Sequence, residues 1–151
     1  MRHLKKKYKA PKKMWNKSRI EREGEIINTF GLRRKKEIWV AEGTMRKYRR
    51  MARELAAKRD NEKEAVLIGK MVKLGLLQPG ATLDDVLGLT INNLLSRRLQ
   101  TIVHKKGLAN TVKQARQYIV HGLVTISGKK VVYPSYVVAV DEEEKIQKVG
   151  K

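Results

Sequence analysis

Apolar residues recur at helical spacing through most of the first hundred residues. Such spacing places them on one face of a helix, so this part of the chain is predicted to be helical. Ser18 with Glu21 has capping-box spacing at the first helix, and Gly31 ends it. Gly75 ends the third helix. The expected helices cover residues 18–29, 33–58, 61–77, 84–87 and 91–95, the last two capped by Thr82 and Thr90.

The pattern changes after residue 96. An apolar face formed by Leu95, Leu99, Ile102 and Val103 predicts a helix that ends at Gly107. A second helix follows, capped by Thr111 and ended by His121-Gly122, with Val112, Ala115 and Ile119 turned inward. Short apolar runs and a tight turn at Ser127-Gly128 then predict strands over residues 123–126, 130–132, 136–140 and 145–149, of which 136–140 is expected to be largely buried.

These elements predict an α+β protein in three parts. Residues 1–17 form a basic arm that is too poor in apolar residues to order by itself. Residues 18–96 form a helical subdomain. Residues 97–151 form a small helix-helix-sheet unit, which we call the C-terminal module.

Charge changes the interpretation of this fold. The chain has 35 Lys and Arg against 15 Asp and Glu, a net charge of +20, and a pI of about 10.4. Residues 97–140 contain eight Lys or Arg and no acid, and residues 1–60 are also strongly basic, whereas 61–96 is nearly neutral. A folded module without acids repels itself unless a polyanion supplies the negative charge. Two RNA-facing surfaces, joined by a neutral packing element, are therefore expected.

Other classes of function have little support. No apolar run approaches the roughly 18 residues of a membrane span, and the start of the chain has no apolar leader, so neither a membrane partner nor a signal peptide is expected. Three His, no Cys and no spaced carboxylate cluster predict neither an enzyme nor a metal or cofactor site. Asp84-Asp85 is interpreted as a pair of acids that stabilises a helix N-terminus.

The first set of candidate contacts lies on the two module helices. Because apolar residues of both helices face inward, their polar residues are expected to point outward, and no acids compensate them at i,i+4 spacing. His104 is interpreted as a partner of the last helical carbonyls. The expected RNA contacts are Arg97, Arg98, Thr101, Lys105, Lys106, Thr111, Lys113, Gln114, Arg116, Gln117 and His121.

The second set lies upstream. Tyr8 and Trp15 are free to stack on unpaired bases, whereas Trp39 is expected to pack inside the protein. The arm is predicted to be disordered until RNA binds. The expected contacts are Lys5, Lys6, Lys7, Tyr8, Lys12 and Lys13 in the arm, and Arg46, Lys47, Arg49, Arg50 and Arg53 on the long helix.

A family resemblance runs through these same residues. Six motifs occur in order between residues 98 and 136: Arg98-Leu99, Gly107-Leu108-Ala109, Gln114-Ala115-Arg116-Gln117, Ile119-Val120-His121-Gly122, Ser127-Gly128-Lys129 and Pro134-Ser135-Tyr136. They resemble the S4 RNA-binding domain. Upstream stretches resemble the archaeal and eukaryotic branch of the small-subunit ribosomal protein four family, namely Lys6-Lys7-Tyr8, Trp15, Arg19, Glu21-Arg22-Glu23, 35–39, 74–77 and 83–87.

The resemblance implies a ribosomal protein that binds small-subunit rRNA directly, in the cytoplasm, and acts in translation. It also implies early joining during ribosome assembly, at a multi-helix junction of the subunit body, beside other small-subunit proteins and the path by which mRNA enters. A Cys-based zinc knuckle, found in the bacterial branch, does not carry over because Cys is absent.

Two alternatives remain open at this point. One is a free-standing S4-domain RNA chaperone or RNA-modifying factor, although residues 1–96 contain neither a carboxylate constellation nor a nucleotide-binding loop. The other is a protein that compacts DNA without sequence preference. A comparison of the protein's affinities for small-subunit rRNA and for duplex DNA, measured at equal salt, distinguishes these alternatives from the ribosomal role.

Overall fold

The structure, a computed structural model, describes residues 8–149. Lys5, Lys6 and Lys7, predicted as contacts in the arm, lie outside the described residues. The helices are α1 (Lys17–Phe30), α2 (Lys36–Lys58), α3 (Asn61–Lys73), α4 (Leu83–Gly88), α5 (Ile91–Ser96), α6 (Leu99–Lys105), α7 (Val112–Val120) and α8 (Val140–Glu143). The strands are β1 (Val124–Ile126), β2 (Lys129–Lys130) and β3 (Ile146–Lys148). The predicted α+β class is confirmed.

Helix ends follow local hydrogen bonding, with one correction. Asn16, and not Ser18, caps α1: the Asn16 carboxamide oxygen accepts from the Arg19 backbone N–H at 3.1 Å. Ser18 lies inside the first turn of α1 and not at its N-cap, and its hydroxyl donates to that same oxygen at 2.8 Å. Gly31 ends α1 as predicted, in a left-handed conformation with φ 56° that favours glycine. Its N–H donates to the Ile27 carbonyl.

Two apolar clusters hold the chain together. The first is built on α2, whose Ile38, Met45 and Ala52 pack with Met71 of α3 and Val86 of α4. The second joins α6 and α7 to the sheet and to the segment between β2 and β3. Its most buried members are Leu99, Ile102, Val103, Ala115, Ile119, Val124 and Val138. The helices α5 and α6, in contact with each other, connect the two clusters.

The sheet has the order β2-β1-β3, and both pairs are antiparallel. Thr125 of the central strand lies opposite Lys130 on one side and Gln147 on the other. Ser127 and Gly128 both have positive φ, at 50° and 79°, as a two-residue hairpin of type I′ requires. The final strand, predicted over residues 145–149, forms at 146–148 and pairs with β1.

The predicted strand over residues 136–140 is wrong. Only an isolated bridge forms there, between Val137 and Arg98. Both edges of β1 are already taken by β2 and β3, so this segment finds no free edge on the central strand. Val138 is fully buried, but Tyr136 and Val140 are exposed, and the chain turns into α8 instead. The apolar run thus reflects the burial of Val138 between two partly buried neighbours, Val137 and Ala139, and not a strand.

We predict that Ile119→Ala destabilises the protein by about 2–5 kcal/mol, because Ile119 is fully buried in the second cluster and its truncation leaves a cavity. Thermal or urea unfolding measures the loss. Lys113→Ala on the exposed side of the same helix is the control and should unfold like the wild type. Equal stability of the two variants would mean that α7 faces the other way.

Candidate RNA-binding surface

The outer face of α7 is polar and held in place by its own side chains. The Thr111 hydroxyl caps the helix by accepting from the Gln114 N–H at 3.1 Å. The Gln114 side chain accepts from the Asn110 N–H at 2.8 Å and donates to the Tyr118 hydroxyl at 2.8 Å. Ala115 is buried beneath them, Arg116 turns toward Glu37 of α2, and the other polar side chains face outward. The exposed ones are Lys113, Gln117 and His121.

Two lysines extend this face from the C-terminal end of α6. Lys105 and Lys106 are exposed, and the Lys106 ammonium group contacts the Glu143 carbonyl. Cations are favourable at this end because the helix dipole is negative there. The His104 ring nitrogen Nδ1 lies 3.1 Å from the Ala109 carbonyl, which is beyond the helix, so the predicted pairing with the last helical carbonyls is wrong.

The outward orientation predicted for the start of α6 is wrong. Arg98 and Thr101 are buried, and Arg97 is largely enclosed. The cause is that α6 lies between the two apolar clusters, so every residue from Leu99 to Val103 is buried. The Thr101 hydroxyl donates to the Leu95 carbonyl at 2.9 Å. Leu95, expected on this helix, belongs to α5.

Arg97 links three segments of the chain. Its guanidinium donates to the Leu74 carbonyl at 3.0 Å, to the Val138 carbonyl at 3.2 Å and to the Glu143 carboxylate at 2.7 Å. A Cβ atom at Gly75, where φ is 66°, would come within 2.9 Å of this guanidinium. The side chain thus fastens the end of α3 to the C-terminal part of the module.

A cluster centred on Glu37 joins α2 to the module. The Arg98 guanidinium donates to Glu37 Oε2 at 2.7 Å, and Arg116 of α7 lies 3.4 Å from Glu37 Oε1. The Arg33 backbone N–H donates to the same carboxylate at 3.2 Å, so Glu37 also holds the segment that leads into α2. We call Glu37, Arg98, Arg116 and Gln100 the seam cluster.

Gln100 supplies the uncharged part of the seam cluster. Its buried amide nitrogen donates to the Gly31 carbonyl at 3.0 Å and to the Val112 carbonyl at 3.1 Å. Its oxygen accepts from Arg116 at 3.3 Å. A Cβ atom on Gly31 would lie 3.1 Å from the Gln100 amide nitrogen. The loop after α1 and the start of α7 are therefore held against α6 by one side chain.

The environment of Glu37 changes its acidity. Burial alone would raise the pKa of Glu37, but the hydrogen bond and charge of Arg98, together with Arg116, outweigh it. The pKa of Glu37 is therefore lowered below its ordinary value. The folded state prefers the ionised carboxylate, as expected for a carboxylate that faces two guanidinium groups.

On α2 the predicted contacts divide into two kinds. Arg46, Lys47, Arg50 and Arg53 are exposed, and Arg50 forms an ion pair with Glu54. Arg49 is only half-exposed, because its guanidinium donates to the Leu89 carbonyl at the end of α4. Four of the five positions thus present an exposed basic face, and the fifth fastens α2 to the next helices.

The described part of the arm is mostly exposed and touches α2 through Tyr8. Lys12 and Lys13 are exposed, and Trp15 is 94% exposed, as a base-stacking side chain requires. The Tyr8 ring packs on the Trp39 ring, with centroids 5.8 Å apart. Trp39 packs inside as predicted, and its indole N–H donates to the buried Glu23 carboxylate at 3.0 Å.

Residues 8–149 include no helix that is long and apolar enough to cross a bilayer. Over the same range, no group of three or more His, Asp or Glu residues converges as metal ligands would.

Comparison with known proteins identifies the family. The S4 domain model matches residues 97–143. Small ribosomal subunit protein uS4 of Saccharolobus islandicus (strain L.S.2.15 / Lassen #1) is 51% identical over 145 residues, which is 93% of this chain and 80% of the relative. The chain belongs to the uS4 family.

Other uS4 relatives give similar coverage. The protein of that name from Methanothermobacter thermautotrophicus is 46% identical over 148 residues, which is 96% of this chain and 86% of the relative. The one from Methanococcus aeolicus is 50% identical over 149 residues, which is 96% of this chain and 84% of the relative. The family resemblance in the motifs is confirmed.

The structure also adds basic residues of this uS4-family chain to the surface that sequence reasoning missed. Lys129 and Lys130 form the exposed edge strand of the hairpin, where two adjacent lysines after a Ser-Gly turn were the available signal. Arg33, Arg34 and Lys36 are exposed near Arg116, with which they line one cavity. They are distant from Arg116 in sequence, so only the fold connects them.

We predict that Glu37→Gln removes a pH-dependent part of the stability. The lowered pKa means that the ion pairs stabilise the fold above the ordinary carboxyl pKa of 4.5 and lose this effect as pH falls through the lower folded value. Near pH 7 the variant should be less stable by about 1–3 kcal/mol, because a buried guanidinium loses its charged partner. Melting temperatures between pH 7 and pH 3 measure both effects.

The wild type should therefore lose stability relative to the variant as pH falls below 4.5. Glu21→Gln, an exposed substitution on α1, should reproduce the wild-type profile. Coincident curves for the wild type and Glu37→Gln throughout this range would exclude an energetic role for Glu37 in the seam cluster.

Proposed function

We propose that the chain is a structural constituent of the small ribosomal subunit and binds small-subunit rRNA directly. The relatives named small ribosomal subunit protein uS4 match nearly all of it. The observation that carries the proposal is the exposed basic face of α6 and α7, which belongs to a stretch without a single acid. A localisation on cytoplasmic ribosomes follows from this role.

Binding would rest first on the phosphates. Lys105, Lys106 and Lys113 present ammonium groups on flexible stems, and the two hairpin lysines extend the same chemistry to the sheet edge. Each phosphate that a lysine neutralises releases counterions, which favours association. Gln117 and His121 add hydrogen-bonding groups of the kind that read 2′-hydroxyls and base edges in folded RNA.

The second basic block would contact the same RNA. The four exposed basic residues of α2 and the exposed arm lysines provide phosphate contacts, while Trp15 provides a ring on which an unpaired base can stack. The seam cluster fixes this block relative to the module. A rigid relation between two basic surfaces favours RNA of one particular shape over unstructured polyanions.

Finer aspects of the role follow from the family likeness. We propose early joining during assembly at a multi-helix junction of the subunit body, contacts with neighbouring small-subunit proteins, and a position near the path of the incoming mRNA. The protein would act without catalysis. We also propose the division into an arm over 1–17, a helical subdomain over 18–96 and a module over 97–151. The two apolar clusters support the boundary between the last two parts, because the buried members of one end at Leu95 and those of the other begin at Leu99.

We predict tight, salt-dependent binding to small-subunit rRNA. The log–log slope of affinity against salt should be steeper than about −4, because each neutralised phosphate contributes about −0.7 on single strands and about −0.9 on duplex. Filter binding or fluorescence anisotropy at several salt concentrations measures it. Duplex DNA of equal length, measured at the same salt, should bind at least tenfold more weakly. Equal affinity for the two would favour a DNA-compacting protein.

Matched lysine variants locate the surface within the same experiment. Lys113→Gln should weaken rRNA binding and make the slope shallower by about one phosphate contact. Lys70→Gln removes an exposed lysine from α3, which packs on α2 and α4 and contributes no residue to the proposed surface, and it should bind like the wild type. If both variants lose the same affinity, net charge and not the α6–α7 face governs binding.

A further inference from the structure

A cavity of about 660 Å³ lies at the seam between α2 and the module. Ligand sites in proteins typically measure about 300–1,000 Å³, so it can hold a small organic group. Its walls are largely apolar, with Val40 and Ala41 from α2, and Leu94, Leu95 and Val137 across from them. The hydroxyl-bearing side chains of Thr44, Tyr48 and Ser135 also line it.

The charge around this cavity is unbalanced. Arg98 and Arg116 share the single Glu37 carboxylate, so two guanidinium groups face one acid. Arg33, Arg34 and Lys36 also line the cavity, and among the ion pairs of residues 8–149 none involves these three side chains. Arg98 is buried, so excess positive charge beside it is costly and is relieved by an anion, and the three exposed basic side chains at the rim also attract such an anion.

The combination of apolar walls and a cationic rim selects the kind of occupant. A flat heterocycle can pack between the apolar walls, and the hydroxyl groups that line the cavity can form hydrogen bonds with the polar edge of such a ring. The arginines can bind a phosphate attached to the heterocycle. Tyr8 lines the cavity while its ring packs on Trp39, so a ring is already positioned where a base would enter. A basic peptide, such as the arm itself, is disfavoured as an occupant because it would add positive charge to the rim.

We propose that this cavity receives one unpaired nucleotide of the bound RNA, with its base between the walls and its phosphate at the arginine-rich rim. The inference rests on the proposed rRNA binding and adds a specific pocket to it. RNA is commonly recognised through unstacked bases inserted among protein side chains, and a looped-out base has already lost its stacking. The seam cluster forms part of the pocket's charge.

The test uses ribonucleoside 5′-monophosphates as probes on the full chain. Each of the four is titrated into labelled protein and followed by NMR, with inorganic phosphate and the parent nucleosides as comparisons. At least one nucleotide should bind saturably in the millimolar range, fivefold or more tightly than phosphate. The amides that shift should include those of Val40 and Thr44, which line the walls.

Two substitutions narrow the cavity. Thr44→Leu fills it from α2, and Ser135→Leu fills it from an exposed position that folding tolerates. Each should weaken nucleotide binding at least fivefold. The matched control is Thr29→Leu on α1, because the Thr29 hydroxyl donates to the Glu25 carbonyl at 2.9 Å, as the Thr44 hydroxyl does to the Val40 carbonyl at 3.1 Å. That control should bind nucleotides like the wild type.

Other results would overturn the pocket assignment. The first is the absence of saturable nucleotide binding. The second is nucleotide binding no tighter than phosphate binding, which indicates a simple anion site. The third is equal nucleotide affinity of Thr44→Leu, Ser135→Leu and Thr29→Leu. Concentration-dependent broadening that disappears in Thr44→Leu would instead indicate a second copy of the chain in the cavity. Titrating the same proteins with rRNA separates the proposals: retained rRNA binding without nucleotide binding overturns the pocket alone.

Discussion

The arrangement of this molecule depends on one carboxylate, that of Glu37. It lies at the start of α2 and holds Arg98 at 2.7 Å and Arg116 at 3.4 Å, both from the C-terminal module. Without it, two guanidinium groups would face each other at the junction of two apolar clusters, which is unfavourable in a region of low dielectric. Gln100 completes the junction with hydrogen bonds to the loop after α1 and to α7. The relative placement of the two basic surfaces follows from these contacts.

Arginine and lysine have different tasks in the acid-free stretch. Its three arginines, at 97, 98 and 116, all donate to groups within the protein, whereas its five lysines are exposed, although Lys106 also contacts the Glu143 carbonyl. The planar guanidinium, with five donors, suits fixed contacts to carbonyls and carboxylates, and the flexible ammonium suits a phosphate whose position varies. A stretch that is uniformly basic in sequence therefore supplies both the fastening of the module and its RNA-facing charge.

Helical phase predicted much of this surface. The spacing of Ala115 and Ile119 indicated which side of α7 is buried, and Thr111 and Gly31 indicated where helices begin and end. The errors arose where partners are distant in sequence. Arg98 meets Glu37 61 residues away, and Gln100 reaches Gly31 69 residues away, so a pattern read along one helix placed Arg98 outside. The strand expected at 136–140 failed for a similar reason, because an apolar run does not reveal that β1 is already paired on both edges.

The most direct test of the seam cluster's role is the affinity of Glu37→Gln for small-subunit rRNA, measured near neutral pH and at a temperature where the variant is folded. The substitution removes one negative charge and so raises the net charge of the protein by one. Binding governed by net charge alone would therefore be equal or tighter. If the seam cluster fixes the two basic surfaces relative to each other, binding should instead weaken by about tenfold, equivalent to about 1.4 kcal/mol. Affinity equal to or greater than that of the wild type would contradict this role of Glu37.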